Sequence, residues 1–94
     1  MVYIGSGVST ANARITGQGH NQDTYGYARV MQVSVNGAAY TVISWLNNGE
    51  TKSFDFTLPA GVLTNGWNDI RAYIHWGNDE YNSGHWVYVN LVLP

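Results

Sequence analysis

The chain contains no cysteine, which removes disulfides, thiolate nucleophiles and cysteine-held zinc from consideration. Charge is also scarce. Four Lys and Arg against six Asp and Glu leave a formal net charge of -2, and charged residues make up 11% of the total, where about a quarter is usual. A basic stripe able to neutralise phosphates or anionic lipid is therefore missing, so neither nucleic acid nor a membrane surface is an expected partner. No apolar run approaches the ~18 residues of a membrane helix. The opening residues MVYIGSGVST lack the basic region and apolar core of a signal peptide. Localisation stays open, with an extracellular setting following only if the chain is a module of a secreted protein.

Helical periodicity is missing as well, and what replaces it is alternation. The 94 residues suffice for one domain with one modest core. Alternating apolar and polar residues between Gly and Asn punctuation predict an all-β chain, a sandwich or a barrel. Strands are expected near 2-4, 11-18, 27-36, 38-45, 51-58, 69-76 and 85-93. Val35-Asn36-Gly37-Ala38 has the chemistry of a tight hairpin turn. LPAGVLTNG, residues 58 to 66, is a second turn cluster whose Pro59, Gly61 and Gly66 forbid a long regular element. Strand parity sends Phe54, Phe56 and Leu58 inward, with Met31, Val33 and Val35, then Ile70, Ala72, Ile74 and Trp76, then Val87, Val89, Leu91 and Leu93.

The same parity puts Arg71, Tyr73 and His75, followed by Trp86, Tyr88 and Asn90, on the opposite side of the last two strands. Taken as one surface, these residues are aromatic and hydrogen-bonding rather than charged. Strand alternation also places the connections near 19-26, 46-50 and 77-84 at one end of the sandwich. They read GHNQDTYG, LNNGE and GNDEYNSG, rich in amides, hydroxyls and acids. The third lies inside HWGNDEYNSGHW, residues 75 to 86, which begins and ends with His-Trp.

Flat rings beside amides and hydroxyls are what a neutral sugar needs, since the C-H face of a pyranose lies on an aromatic ring while its hydroxyls find polar partners. Arg71, Tyr73, His75, Trp86, Tyr88 and Asn90 therefore form the expected ligand-binding set, with His20, Tyr25 and Tyr81 added from the loops. Tyr27 is a further loop contact, whereas Trp45, Trp67 and Trp76 are assigned to core or rim. Asp23, Asp79 and Glu80 offer the hard oxygen ligands that calcium prefers, without the Asp-x-Asp spacing of a dedicated loop. His20, His75 and His85 lack a compact zinc-site spacing. Ser44, Ser53 and Ser83 have no nucleophile-elbow context, and GQGHNQ has no lysine for a phosphate loop. The expected role is therefore binding without catalysis.

Two stretches carry a resemblance. VSVNG at 33 to 37 and FTLPAGVLTNGWNDIRAYI at 56 to 74, followed by HWVYVNLVLP, resemble galactose-binding-like jelly rolls. Such domains serve as carbohydrate-binding modules and as accessory domains of polysaccharide lyases and glycosidases. The resemblance covers roughly residues 27 to 93 and places the family's turn into a core strand at Gly66, Asn68 and Ile70. It implies an antiparallel, jelly-roll-like β-sandwich that binds glycan or polysaccharide through end loops or a sheet face, frequently with a structural calcium. The alternative is a structural or self-assembling subunit, such as a coat, fibre or designed sandwich. In that case the aromatic surface is buried between protomers of a homo-oligomer.

Overall fold

The computed structural model describes residues 1-23, 26-75 and 84-94. Eight strands run in chain order: β1 (Val2–Ile4), β2 (Arg14–His20), β3 (Arg29–Val35), β4 (Ala38–Leu46), β5 (Thr51–Thr57), β6 (Gly66–Asn68), β7 (Ile70–His75) and β8 (Trp86–Val92). No helix occurs among the described residues. Two three-stranded antiparallel sheets, ordered β5-β2-β8 and β4-β3-β7, form the sandwich, and β1 and β6 make a separate two-stranded pair.

The connectivity is nested. The hairpin β3-β4 lies innermost, β2 and β5 pair around it in the other sheet, and β7 and β8 then add to β3 and β2. This is jelly-roll winding, in which successive strands pass repeatedly from sheet to sheet. The hairpin turns on Asn36 and Gly37, at φ 50° and 88°, the left-handed conformations that a two-residue turn demands.

Apolar residues at alternate positions close the core. Ile15 and Phe54 face inward from one sheet and Met31, Val33, Val35 and Ile43 from the other, with Ile4, Ala13, Leu46, Leu58 and Leu63 at the margins. Phe56, Ile70, Ala72, Ile74, Val87, Val89, Leu91 and Leu93 pack against this centre while keeping some exposure. Each large side chain fully buried here contributes about 1.5-3 kcal/mol of hydrophobic stabilisation. The inward assignments made from parity hold wherever the residue is described; Trp76 lies outside the described residues.

Two features were not expected from the sequence. Residues 66-68 form a short strand on β1, with Tyr3 opposite Trp67 and their rings 5.2 Å apart edge to face. Trp67 is consequently an exposed residue rather than a core or rim one. The β3-β4 ladder also carries two register shifts, between Arg29 and Met31 and between Met31 and Gln32, so β4 holds extra residues against β3. Ser44 and Trp45 therefore both face solvent between the buried Ile43 and Leu46, a break in alternation that a bulge produces.

The far end is knotted by amides. Buried Asn68 accepts the Thr64 amide N–H (3.0 Å) and the Asn36 Nδ2 group (2.9 Å) at Oδ1, and donates Nδ2 to the Thr64 carbonyl at 2.9 Å. Asn36 in turn donates to the Val62 carbonyl (2.8 Å) and accepts the Asp69 N–H (2.8 Å). Two side chains thus fix the hairpin turn to the 58-69 crossover.

In β2, Gly17 and Gly19 stand where inward side chains would otherwise be. A Cβ at Gly17 would overlap the Tyr88 carbonyl and the Phe54 ring, and one at Gly19 would overlap the Met31 thioether of the facing sheet. Gly19 thus admits Met31 from the facing sheet, whereas Gly17 makes room for β5 and β8 within its own sheet. Gly17→Ala and Gly19→Ala are each expected to lower stability by about 1-3 kcal/mol through overpacking, read as a lower urea midpoint at unchanged slope. Gly17→Ala should cost more, because a backbone carbonyl yields less readily than a methionine.

Candidate functional site

The three crossovers 21-28, 47-50 and 76-85 leave the sandwich at one end, as strand alternation requires. His20 pairs with Thr51 and Trp86 in one sheet, and Arg29 with Leu46 and Val30 with His75 in the other. The described parts of these loops are held by Asn21. Its Nδ2 donates to the carbonyls of Tyr27 (2.8 Å) and Leu46 (2.9 Å). Its backbone N–H reaches Glu50, and its carbonyl accepts the Gly49 N–H at 2.7 Å. Gln22 receives the third loop, donating its N–H to His85 Nδ1 (3.1 Å) and accepting the Gly84 N–H (3.0 Å).

Beside Asn21, Asp23 and Arg29 form an ion pair with both side chains almost wholly buried. The Arg29 guanidinium also lies 5.5 Å from the centre of the Tyr27 ring. The Asp23 N–H donates to Asn48 Oδ1 at 2.8 Å. The Asp23 carboxylate, expected as a calcium ligand, therefore faces a fixed cation. Asp79 and Glu80, its expected companions, lie outside the described residues, as do Tyr25 and Tyr81. Among the described residues no group of three or more His, Asp or Glu side chains converges on a point where a metal would sit.

The surface expected as one face is two. β7 belongs to the β4-β3-β7 sheet and β8 to the β5-β2-β8 sheet, so their outward side chains point to opposite sides of the sandwich. Arg71 and Tyr73 stand on the first outer face. Arg71 donates to Asp69 at 3.0 Å, a hydrogen bond that, with the accompanying charge attraction, raises the guanidinium pKa above its ordinary value. For His75 only the strand position is described. Trp86, Tyr88 and Asn90 stand on the second face, where β2 and β5 contribute the rest of the surface.

On that second face the register gives rows: Trp86, His20 and Thr51; Tyr88, Gln18 and Ser53; Asn90, Thr16 and Asp55. The Trp86 and Tyr88 rings lie 3° from parallel with centroids 6.3 Å apart, and His20 stacks on Trp86 at 5.6 Å and 12°. Trp86 is 44% and Tyr88 49% exposed, so both are held by neighbours yet open to solvent. His20 is oriented at both ring nitrogens: Nε2 meets Gln22 Oε1 (3.1 Å) and Nδ1 meets the Thr51 hydroxyl (2.8 Å). An amide oxygen only accepts, so the contact with Gln22 Oε1 suits a proton on Nε2, the tautomer in which Nδ1 accepts from the Thr51 hydroxyl. Gln18 donates to Ser53 Oγ at 3.1 Å, and Arg14 bridges Asp55 at 2.7 Å beyond. The result is a strip of three near-parallel, stacked rings bordered by hydroxyls and amides, with one self-neutralised ion pair.

The opposite sheet has a concavity that parity did not foresee. A groove of ≈ 530 Å³ is lined by Tyr27, Ala28, Arg29, Val30, Ser44 and Trp45. Trp45, 60% exposed, is one wall because of the β4 bulge, and its Nε1 donates to Asn47 Oδ1 at 2.8 Å. This corrects the assignment of Trp45 to core or rim. The sequence signal was available in Ile43-Ser44-Trp45-Leu46, since two buried residues three apart in a strand require an irregularity between them.

No protein-family model matches this chain, and neither the curated proteins nor the solved structures give a match. Asp23→Ala is expected to cost about 3-5 kcal/mol by stripping a buried guanidinium of its carboxylate. The double variant Asp23→Ala/Arg29→Met should recover part of that loss, and a denaturation cycle over the four proteins measures both quantities.

Proposed function

We propose that the outer face of the β5-β2-β8 sheet binds a neutral glycan or polysaccharide without transforming it. The observation that carries this reading is the ring strip, Tyr88, Trp86 and His20, fixed in near-parallel planes on an exposed sheet. Offset stacked rings offer their exposed edges and the uncovered parts of their faces to the C-H faces of sugar rings, and their order is already established before the ligand arrives. Gln18, Asn90, Thr16, Thr51 and Ser53 stand beside them with donors and acceptors in the positions where sugar hydroxyls would lie. The net charge of -2 and the internal Arg14-Asp55 pair favour an uncharged ligand.

The resemblance to galactose-binding-like jelly rolls supports the same conclusion by analogy of fold, and fold analogy alone would not choose the face. Two features favour the sheet face over the groove at Tyr27 and Trp45. The strip has many more polar side chains, and its rings share one orientation. Shallow platforms of this kind bind in the millimolar to micromolar range, about -4 to -8 kcal/mol. Calcium, which the resemblance also implies, would act through loop residues rather than through the strip.

Intrinsic tryptophan fluorescence, recorded across a panel of neutral polysaccharides with calcium and with chelator, tests the proposal. A saturable change is expected, reduced at least tenfold in affinity, about 1.4 kcal/mol, by Trp86→Ala and by Tyr88→Ala. Tyr73→Ala, on the other outer face, should leave binding intact. Equal loss from Tyr73→Ala and Trp86→Ala would place the site elsewhere, and silence of the folded protein across the panel would overturn the reading.

A further inference from the structure

Each three-stranded sheet has two edges, and an edge strand presents a row of backbone N–H and C=O groups that can template pairing with another chain unless something blocks it. Among the described residues the four edges are β4, β5, β7 and β8. Three of them carry recognisable obstacles. β5 has Lys52 and Asp55, and β7 has Arg71. β4 is interrupted by two register shifts, and Lys52 Nζ occupies its Trp45 carbonyl at 2.8 Å. β8 is Trp-Val-Tyr-Val-Asn-Leu-Val, with no charge, no proline, no glycine and an unbroken register against β2. Among the described residues, no backbone hydrogen bond reaches it other than its ladder with β2.

We propose that β8 is a self-association edge, pairing antiparallel with β8 of a second copy about a two-fold axis through Val89. Val89 is the middle of the seven residues, so this register uses the whole strand: Trp86 faces Val92 of the second copy, Val87 faces Leu91, and Tyr88 faces Asn90. Two-fold antiparallel pairing is self-complementary, every unpaired donor of one edge meeting an acceptor of the other. The absence of charge is the electrostatic half of the complementarity, since this register sets no like charges opposite one another, which is the usual means by which an edge rejects its own copy. The product is a continuous sheet ordered β5-β2-β8-β8-β2-β5, with inward residues still inward and the two ring strips side by side on one surface. The pairing leaves the outer face uncovered, so it differs from an assembly that buries the aromatic surface.

The protein's lack of cysteine makes the register testable. In this dimer the two Val89 residues lie directly opposite, with Cα atoms about 4.5-5.5 Å apart, inside the range a disulfide spans. The two Val92 residues are about 20 Å apart, six strand steps. Sedimentation of the wild type should show a mass rising from one chain to two with concentration. Under mild oxidation Val89→Cys should give covalent dimer at least tenfold faster than Val92→Cys. Because position 89 faces the core, a second test uses exposed positions: Tyr88→Cys chains mixed with Asn90→Cys chains should cross-link faster than either alone. A single-chain mass at all concentrations would overturn the proposal, as would a dimer in which neither cysteine test shows the expected preference. None of these readouts depends on a glycan, so they stand or fall separately from the binding function.

Discussion

The fold depends on the need to satisfy backbone groups where chains cross between sheets, and Asn21 meets that need at the end where three crossovers gather. A loop passing over the open mouth of a sandwich would bury carbonyls and N–H groups away from water at about 1-3 kcal/mol for each left unpaired. Asn21 answers with two side-chain donors and its own backbone groups, reaching both the 21-28 loop and the 47-50 turn. Asn68 does the same at the other end. Neutral amides can do this without the desolvation penalty of a charge, which fits a chain so poor in charged residues. The buried Asp23-Arg29 pair is the exception, and it sits directly beside the amide that holds the loops.

This arrangement explains why the sheet face and the loop end form one mechanical unit. His20 ends β2, stacks on Trp86 and hydrogen-bonds both Thr51 and Gln22. Gln22 is itself bound to His85 and Gly84. The ring strip is thereby continuous with the network that fixes the loops, and the side chains facing solvent are held by the same contacts that close the sandwich. Preorganisation of this sort reduces the entropy lost when a weak ligand binds.

Much of the fold was legible because alternation is a local signal. Seven strands and the inward sets were readable from residues two apart, and the Asn36-Gly37 turn from its dipeptide. The clustering of the loop end followed from counting strand reversals. Sheet membership was not readable, because whether β7 and β8 pair or lie across the core depends on contacts far apart in sequence; Tyr73 and Trp86 were grouped for that reason and stand on opposite outer faces. The β4 bulge concealed Trp45, since one extra residue reverses parity from that point onward. The short strand at 66-68 was hidden in a turn cluster whose glycine and asparagine also serve pairing and capping. For the ring strip, the aromatic half was visible as Trp86 and Tyr88, while its partners Gln18, Thr16, Thr51 and Ser53 required the register.

The fit of Met31 against Gly19 has a chemical corollary. The chain holds two methionines and no cysteine; Met1 is 78% exposed and Met31 fully enclosed. Oxidation to the sulfoxide adds a polar oxygen, and at Met31 the backbone of the facing sheet leaves no room for it. One thioether is thus always open to peroxide, while the other reacts only when the two sheets part. The molecule carries its own reference and its own sensor, so the ratio of the two sulfoxides records how often the sandwich has opened.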